Sequence, residues 1–193
     1  MNEADLYVIK KELRRRMNDL RDSISKEERE NASEKAAAKV ILSKDFIECS
    51  DILLFSSYRS EISTEPLIRE ALKAGKNIYL PKVCDDEIKF YKYDPDDRLN
   101  EGYKGIPEPT GETEEYVPSP EKKGLVICPG LAFGRDGSRM GYGKGYYDRF
   151  LKNASGLKKT GICFEIQLLD TVPHSDKDML MDTVISEKNE VNI

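Results

Sequence analysis

Residues 125–151 read LVICPGLAFGRDGSRMGYGKGYYDRFL, and the fold turns on how this stretch begins, breaks and ends. It begins as an apolar run, LVICPG, with the continuity of a strand buried on both faces. It breaks into glycines and charges, then resumes helical spacing at YYDRFL. Strand, loop and helix in that order form a unit of a parallel sheet. Outward from it, DILLFSS at 51–57, NIYLPKV at 77–83 and TGICFE at 160–165 read as further buried strands. IKFYKY at 88–93 and DTVISE at 182–187 alternate more and are expected at exposed sheet edges.

Helical patterns separate these runs. Leu6, Ile9, Leu13, Met17 and Leu20 recur at steps of three and four and predict the buried stripe of a first helix. Ser25 with Glu28 is a capping box opening a second helix through Ala36, Ala37 and Ala38 toward Leu42. Thr64 is expected to cap a third, TEPLIREALKAG, with Gly75 as its stop. Strands alternating with helices imply an α/β fold, with a mostly parallel sheet covered on both faces. The segment from Asp94 to Lys123 is rich in proline and acids and is expected to be a long surface excursion.

A chain of 193 residues, 38% hydrophobic and 35% charged, suits one globular domain, 1–193. Its net charge of -5 disfavours nucleic acid and anionic membranes as partners. No apolar run approaches the ~20 residues of a membrane span, and the N-terminus has no signal-like apolar block. A cytoplasmic enzyme is therefore the default, and a monomer is expected. Cys49, Cys84, Cys128 and Cys163 lie far apart without a CxxC pair, so buried free thiols are expected rather than zinc or disulfides. His174 is the single histidine, and nothing near it resembles a nucleophile elbow.

The chemistry concentrates in GSRMGYGKGYYD at 137–148. Gly141, Gly143 and Gly145 alternate with Tyr142 and Lys144, leaving backbone N–H groups unshielded to wrap phosphate oxygens. Arg135, Arg139 and Lys144 add positive charge. The loop is neither of two familiar phosphate grips. A P-loop needs glycine where Ser138 stands and Ser or Thr where Gly145 stands. A dinucleotide fingerprint needs glycine at Tyr146.

Other candidates keep two readings each. Lys10 and Arg14, four apart on the first helix, could reach a cleft, or belong with Lys11, Arg15 and Arg16 to a solvated basic face. Asp148 and Asp182 could hold magnesium. Alternatively Asp148 compensates a helix dipole and Asp182 sits in a surface turn. Glu61, after the strand DILLFSS, could pair with an amino-heterocycle edge or be a plain surface glutamate.

GLAFGRDGSRMGYGKGYYDRFL at 130–151 closely resembles the signature of the 5-formyltetrahydrofolate cyclo-ligase family. The resemblance extends through KKELRRRM, SSYRSEISTEP, GIPEP and PHSDKDMLMDTVISE. It implies a three-layer α/β/α sandwich and an ATP- and magnesium-dependent closure of 5-formyltetrahydrofolate to 5,10-methenyltetrahydrofolate, releasing ADP and phosphate. It further implies that Lys10, Arg14 and the run Arg139, Met140, Gly141, Tyr142, Gly143, Lys144, Gly145, Tyr146 and Tyr147 contact ATP. Ser56, Glu61 and residues Tyr142 to Tyr146 would contact the folate, Lys144 and Arg139 would be catalytic, and Asp148 and Asp182 would hold magnesium. One position departs from the pattern: Gly134 stands after GLAF, where family members usually carry an acid, with Asp136 two residues on. The rival readings are a phosphoryl transferase acting on another acceptor and an RNA-binding module.

Overall fold

The computed structural model describes residues 3–96 and 98–193. Met1, Asn2 and, within the 94–123 excursion, Asp97 lie outside the described residues. The elements in chain order are α1 (Glu3–Asp22), α2 (Lys26–Leu42), α3 (Lys44–Glu48), β1 (Asp51–Leu53), α4 (Glu65–Lys73), β2 (Asn77–Cys84), β3 (Glu87–Tyr93) and the small pair β4 (Asn100–Glu101) and β5 (Pro107–Glu108). Then follow β6 (Gly124–Cys128), β7 (Ala132–Gly134), β8 (Arg139–Met140), α5 (Tyr146–Lys152), β9 (Leu157–Ile162), β10 (Leu168–Leu169), β11 (Thr183–Ile185) and β12 (Glu190–Asn192).

Seven strands form the central sheet in the order β12-β11-β9-β6-β1-β2-β3. The five inner strands are parallel, and β3 and β12 close the two edges antiparallel. Strand side chains alternate between faces, so each apolar run feeds two cores. Ile52, Leu125, Ile127 and Ile185 meet Ala36, Val40, Phe46 and Leu67 of α2, α3 and α4. Leu53, Val126, Cys128 and Val184 meet Leu151 of α5, Phe133 of β7 and Tyr116 on the other face. Each such buried aliphatic side chain contributes about 1.5–3 kcal/mol of apolar transfer. The result is the three-layer α/β/α sandwich that the resemblance implied.

The order of strands has a consequence for function. From β1 the chain steps outward through α4 to β2 and β3, then returns through the excursion to β6 on the other flank of β1. The loops leaving the carboxyl ends of β1 and β6 therefore part company, and such a switch point opens a crevice where ligands bind.

Several local expectations are corrected. Ile9 and Leu20 are 43% and 38% exposed, so they do not belong to the buried stripe of α1. The inward face runs instead through Leu6, Lys10, Leu13, Arg14, Met17 and Arg21, because only Leu13 and Met17 meet an apolar surface, that of Leu131, Ala132 and Met140. Ser25 and Glu28 do form the capping box. Thr64, however, gives α4 no side-chain cap, since its backbone is already helical and its hydroxyl donates to the Phe55 carbonyl at 2.7 Å. The strand at 182–187 is not an edge: β11 is fully buried, and β12, which the sequence pattern did not announce, covers it. The excursion is not wholly superficial either. Tyr116 packs in the core, and its N–H donates to Phe90 O beside β3. All four cysteines are free; three are buried and Cys84 is half-buried.

Candidate active site

The crevice at the switch point is lined by Phe55, Glu61 and Ile62 after β1, Pro129 and Gly130 after β6, and Arg21 from the last turn of α1. Glu61 is held with one carboxylate oxygen accepting the Tyr58 N–H at 2.9 Å and the other accepting the Tyr142 hydroxyl. Burial pushes its carboxyl above the ordinary value, while Tyr142, the Tyr58 N–H and Arg21 pull it back. Nearby on the same segment, the Ser56 hydroxyl is buried with no hydrogen-bond partner among the described residues. A buried orphan of this kind is rare and costly, and marks a place where a ligand can complete the bonding.

The loop from Gly141 to Gly145 leaves the short hairpin of β7 and β8 and enters α5. Gly143 and Gly145 have φ of +96° and +68°, a region other residues enter at a cost, so the tight curl requires glycine. The Arg14 guanidinium lies beneath the curl. Its Nε donates to Gly141 O at 3.0 Å, and a Cβ on Gly143 would stand 3.4 Å from its Cζ. Lys144 is exposed, and its ammonium has no protein partner among the described residues. The same holds for the N–H groups of Gly143, Lys144 and Gly145. An exposed cation in the same loop as three unclaimed N–H donors is a combination that suits anion binding.

The remaining candidates divide. Lys10 is turned inward, 2.6 Å from Asp178, which also accepts the Ser175 N–H. Burial pushes the Asp178 carboxyl up, but these contacts outweigh it and hold it below its ordinary value. Arg139 is 4% exposed and lies behind the loop: Nη2 pairs with Asp148 at 2.8 Å and Nη1 donates to Pro129 O at 3.1 Å. Met140 is a core residue beside Met17. Tyr147, next to Arg139, buries a hydroxyl that has no hydrogen-bond partner among the described residues. Tyr146 is half-buried, edge-on to Tyr103. Asp148 Oδ1 takes Arg139 and the Met179 N–H. Asp182 gives both oxygens to Lys159, one to its ammonium at 3.0 Å and one to its N–H at 2.8 Å. Among the described residues no three His, Cys, Asp or Glu side chains gather as a metal cluster. Burial pushes the Cys128 thiol up to about 12, which leaves it inert as a nucleophile.

Gly134 has a geometric reason. A Cβ there would fall 2.2 Å from both Asp136 Oδ1 and Ser138 Oγ, and 3.0 Å from the Thr171 backbone. The Asp136 carboxylate has folded back into that space, where it accepts from Ser138 N, Ser138 Oγ and Thr171 Oγ1. Gly134→Asp is therefore expected to destabilise the chain by about 1–3 kcal/mol through overpacking. Adding Asp136→Gly should recover a good part of that loss, measured by denaturant unfolding. Strict additivity of the two changes would show that the carboxylates do not compete for one space.

Fold and site together define an α/β enzyme whose crevice lies at the carboxyl ends of parallel strands, with an acid and a glycine-rich loop on its two sides. The chain belongs to the 5-formyltetrahydrofolate cyclo-ligase family, whose sequence profile matches residues 7–187. A Caenorhabditis elegans protein described as a probable 5-formyltetrahydrofolate cyclo-ligase is 34% identical over 192 residues, 93% of either chain. The Escherichia coli K12 5-formyltetrahydrofolate cyclo-ligase is 27% identical over 171 residues, 86% of this chain and 93% of that protein. The solved Aquifex aeolicus 5,10-methenyltetrahydrofolate synthetase matches with a TM-score of 0.83 at 34% identity, covering 95% of this chain and 92% of that one. For the Mycoplasma pneumoniae synthetase the TM-score is 0.73 at 26% identity, over 92% and 98%.

Sequence reading missed Arg21 and Asp178. Arg21 had a signal: it stands seven residues after Arg14, on the helix face that Lys10 and Arg14 share. Asp178 had none, because its partner Lys10 lies at the other end of the chain.

Proposed function

We infer that the crevice closes 5-formyltetrahydrofolate to 5,10-methenyltetrahydrofolate, converting ATP to ADP and phosphate. The observation that carries this reading is the meeting of Glu61 and the anion-gripping loop at Tyr142, whose hydroxyl donates to Glu61. Two ligands, one with an amino-heterocycle edge and one with phosphates, would lie side by side there.

The chemistry calls for both. A formamide oxygen is a poor leaving group, and phosphorylation makes it a good one. The formyl oxygen attacks the γ-phosphorus and ADP leaves. N10 then adds to the activated carbon, loses its proton, and the C–O bond breaks as phosphate departs. Glu61 would take the N–H donors of the pterin and Ser56 would give its free hydroxyl to the folate. Lys144 and the N–H groups of residues 143–145 would offset charge on the transferring phosphoryl group. Lys10 and Arg14 would face the nucleotide from α1, Lys10 after exchanging Asp178 for phosphate. Arg139 serves this reading as the support behind the loop.

Magnesium fits Asp148, whose second oxygen has no protein partner among the described residues, and bound there it would neutralise phosphate charge. Asp182 would join only by releasing Lys159. We read the chain as a single domain, 1–193, acting as a cytoplasmic monomer without nucleic-acid partners. The net charge of -5 supports the absence of nucleic-acid partners, and among the described residues no helix is long and apolar enough to cross a membrane.

The test mixes protein, ATP, magnesium and 5-formyltetrahydrofolate and follows the methenyl chromophore. Folded protein that yields no chromophore would sink the reading. ADP release that proceeds equally without the folate would instead favour a phosphoryl transferase acting on another acceptor.

A further inference from the structure

We propose that Arg21 is the positioning residue of the folate side of the site, holding the buried Glu61 carboxylate charged and aimed into the crevice through the Tyr142 hydroxyl. This rests on the reading of Glu61 as the pterin partner. It assigns a role to a residue on a different element.

The side chain of Arg21 is 5% exposed, and that of Glu61 is 11% exposed. Arginine is almost never buried this deeply unless paired. Yet among the described residues Arg21 makes no direct hydrogen bond to a carboxylate. Its Nη1 donates to Tyr142 Oη at 2.6 Å, its Nε to Ser60 Oγ at 3.1 Å and its Nη2 to Asn18 Oδ1 at 3.5 Å. Glu61 Oε1 lies 4.0 Å from Nη1. Tyr142 donates to Glu61, and Ser60 donates to Asp22. The guanidinium thus stands between two carboxylates, each reached through a hydroxyl.

A pair built for stability alone would close into the bidentate fork that arginine and carboxylate favour. The hydroxyl-bridged arrangement gives up that geometry but keeps the charge within Coulombic reach, and it leaves lone pairs of Glu61 open toward the crevice. An ionised carboxylate is needed there, because a carboxylic acid offers a donor where the heterocycle also offers donors. The charged and titratable groups that face Glu61 are Arg21 from α1, Tyr142 from the glycine loop and Tyr147 from α5. Of these Arg21 alone is a cation. Without it, burial goes unopposed by any positive charge.

The experiment compares wild type, Arg21→Gln and Arg21→Lys in the full chain. Arg21→Gln should raise the folate KM about 10- to 100-fold, the worth of one charge-assisted contact. Its ATP KM and kcat should stay within about twofold. The folate KM of Arg21→Gln should fall as pH rises and the Glu61 carboxyl ionises, with the midpoint at a higher pH than wild type shows. Arg21→Lys, which keeps the charge, should return the profile to that of wild type. A purely structural role predicts instead an unmoved profile and parallel losses for both substrates, and that result overturns the proposal.

A measurement independent of turnover separates this idea from the cyclo-ligase reading. The 13C carboxyl signal of Glu61 in ligand-free protein should titrate at higher pH in Arg21→Gln than in wild type, and an unchanged midpoint overturns the proposal even if the enzyme is active. If wild type makes no methenyl product, the cyclo-ligase reading fails while the Glu61 titration still decides the role of Arg21. Tyr142→Phe, a change at a half-exposed residue, gives a second route to the same titration should Arg21→Gln not fold. It too should move the Glu61 midpoint up, and no movement counts against the bridge.

Discussion

Lys144→Ala is expected to lower kcat by about 100- to 1000-fold, the usual cost of removing one preorganised charge from a phosphoryl-transfer site. Its thermal midpoint should stay within about a degree of wild type, because exposed side chains with no partner contribute little to stability. Both halves follow from one observation. The Lys144 ammonium has no ion pair or hydrogen bond among the described residues, so nothing in the fold depends on it. It stands between Gly143 and Gly145, whose positive φ values curl the backbone and leave the intervening N–H groups unclaimed. The folate KM should change little, since the pterin contacts assigned to Glu61 and Ser56 belong to another segment. Full activity in the folded variant would show the lysine dispensable and move phosphate binding to Arg14 and the backbone. A large fall in stability would mean that the loop is held in some way the structure does not reveal.

The layout of the site explains which parts were legible in the sequence. Continuous apolar runs such as LVICPG cannot alternate toward solvent, so they announce inner parallel strands; β2 and β6 lie close to where they were expected, but β1 stops at Leu53, short of Ser57, and β9 runs over Leu157–Ile162, three residues ahead of TGICFE. The edge was less legible. β12 is three residues with a single apolar side chain, Val191, and its pairing with β11 is a tertiary event that no local period encodes. The first helix failed in a more instructive way. Periodicity alone points Leu6, Ile9, Leu13, Met17 and Leu20 inward, but helix α1 docks over a crevice as well as a core. Part of its inward face must therefore be polar, and Lys10, Arg14 and Arg21 occupy it while Ile9 and Leu20 turn outward. Where a helix covers a crevice, hydrophobic periodicity finds the core-facing part, here Leu13 and Met17, and misplaces the rest. Thr64 shows the same limit at smaller scale: the residue type fitted a cap, but the Phe55 carbonyl, nine residues earlier, claimed its hydroxyl.

Arg139→Met should cost about 3 kcal/mol of stability, because it leaves a carboxylate without its buried cation. In a domain of this size that corresponds to a thermal midpoint lower by about 6–12 °C. Arg139 joins three segments: Pro129 at the end of β6, Asp148 in α5, and the glycine loop, where a Cβ on Gly141 would stand 3.1 Å from its Nη1. Methionine fills the volume but satisfies neither the Pro129 carbonyl nor the Asp148 carboxylate. Adding Asp148→Asn removes the unpaired charge, so the double variant should regain about 1–2 kcal/mol over Arg139→Met alone, a coupling readable in a double-mutant cycle. Activity should behave differently. If Asp148 supplies the free oxygen that holds magnesium, the double variant stays inactive even as its stability returns. Recovery of turnover along with stability would show that Asp148 serves only as the counter-ion of Arg139, and the metal would then have to be held elsewhere. The cycle thus separates the two roles of one carboxylate, whose Oδ1 is bound to the fold and whose other oxygen has no protein partner among the described residues.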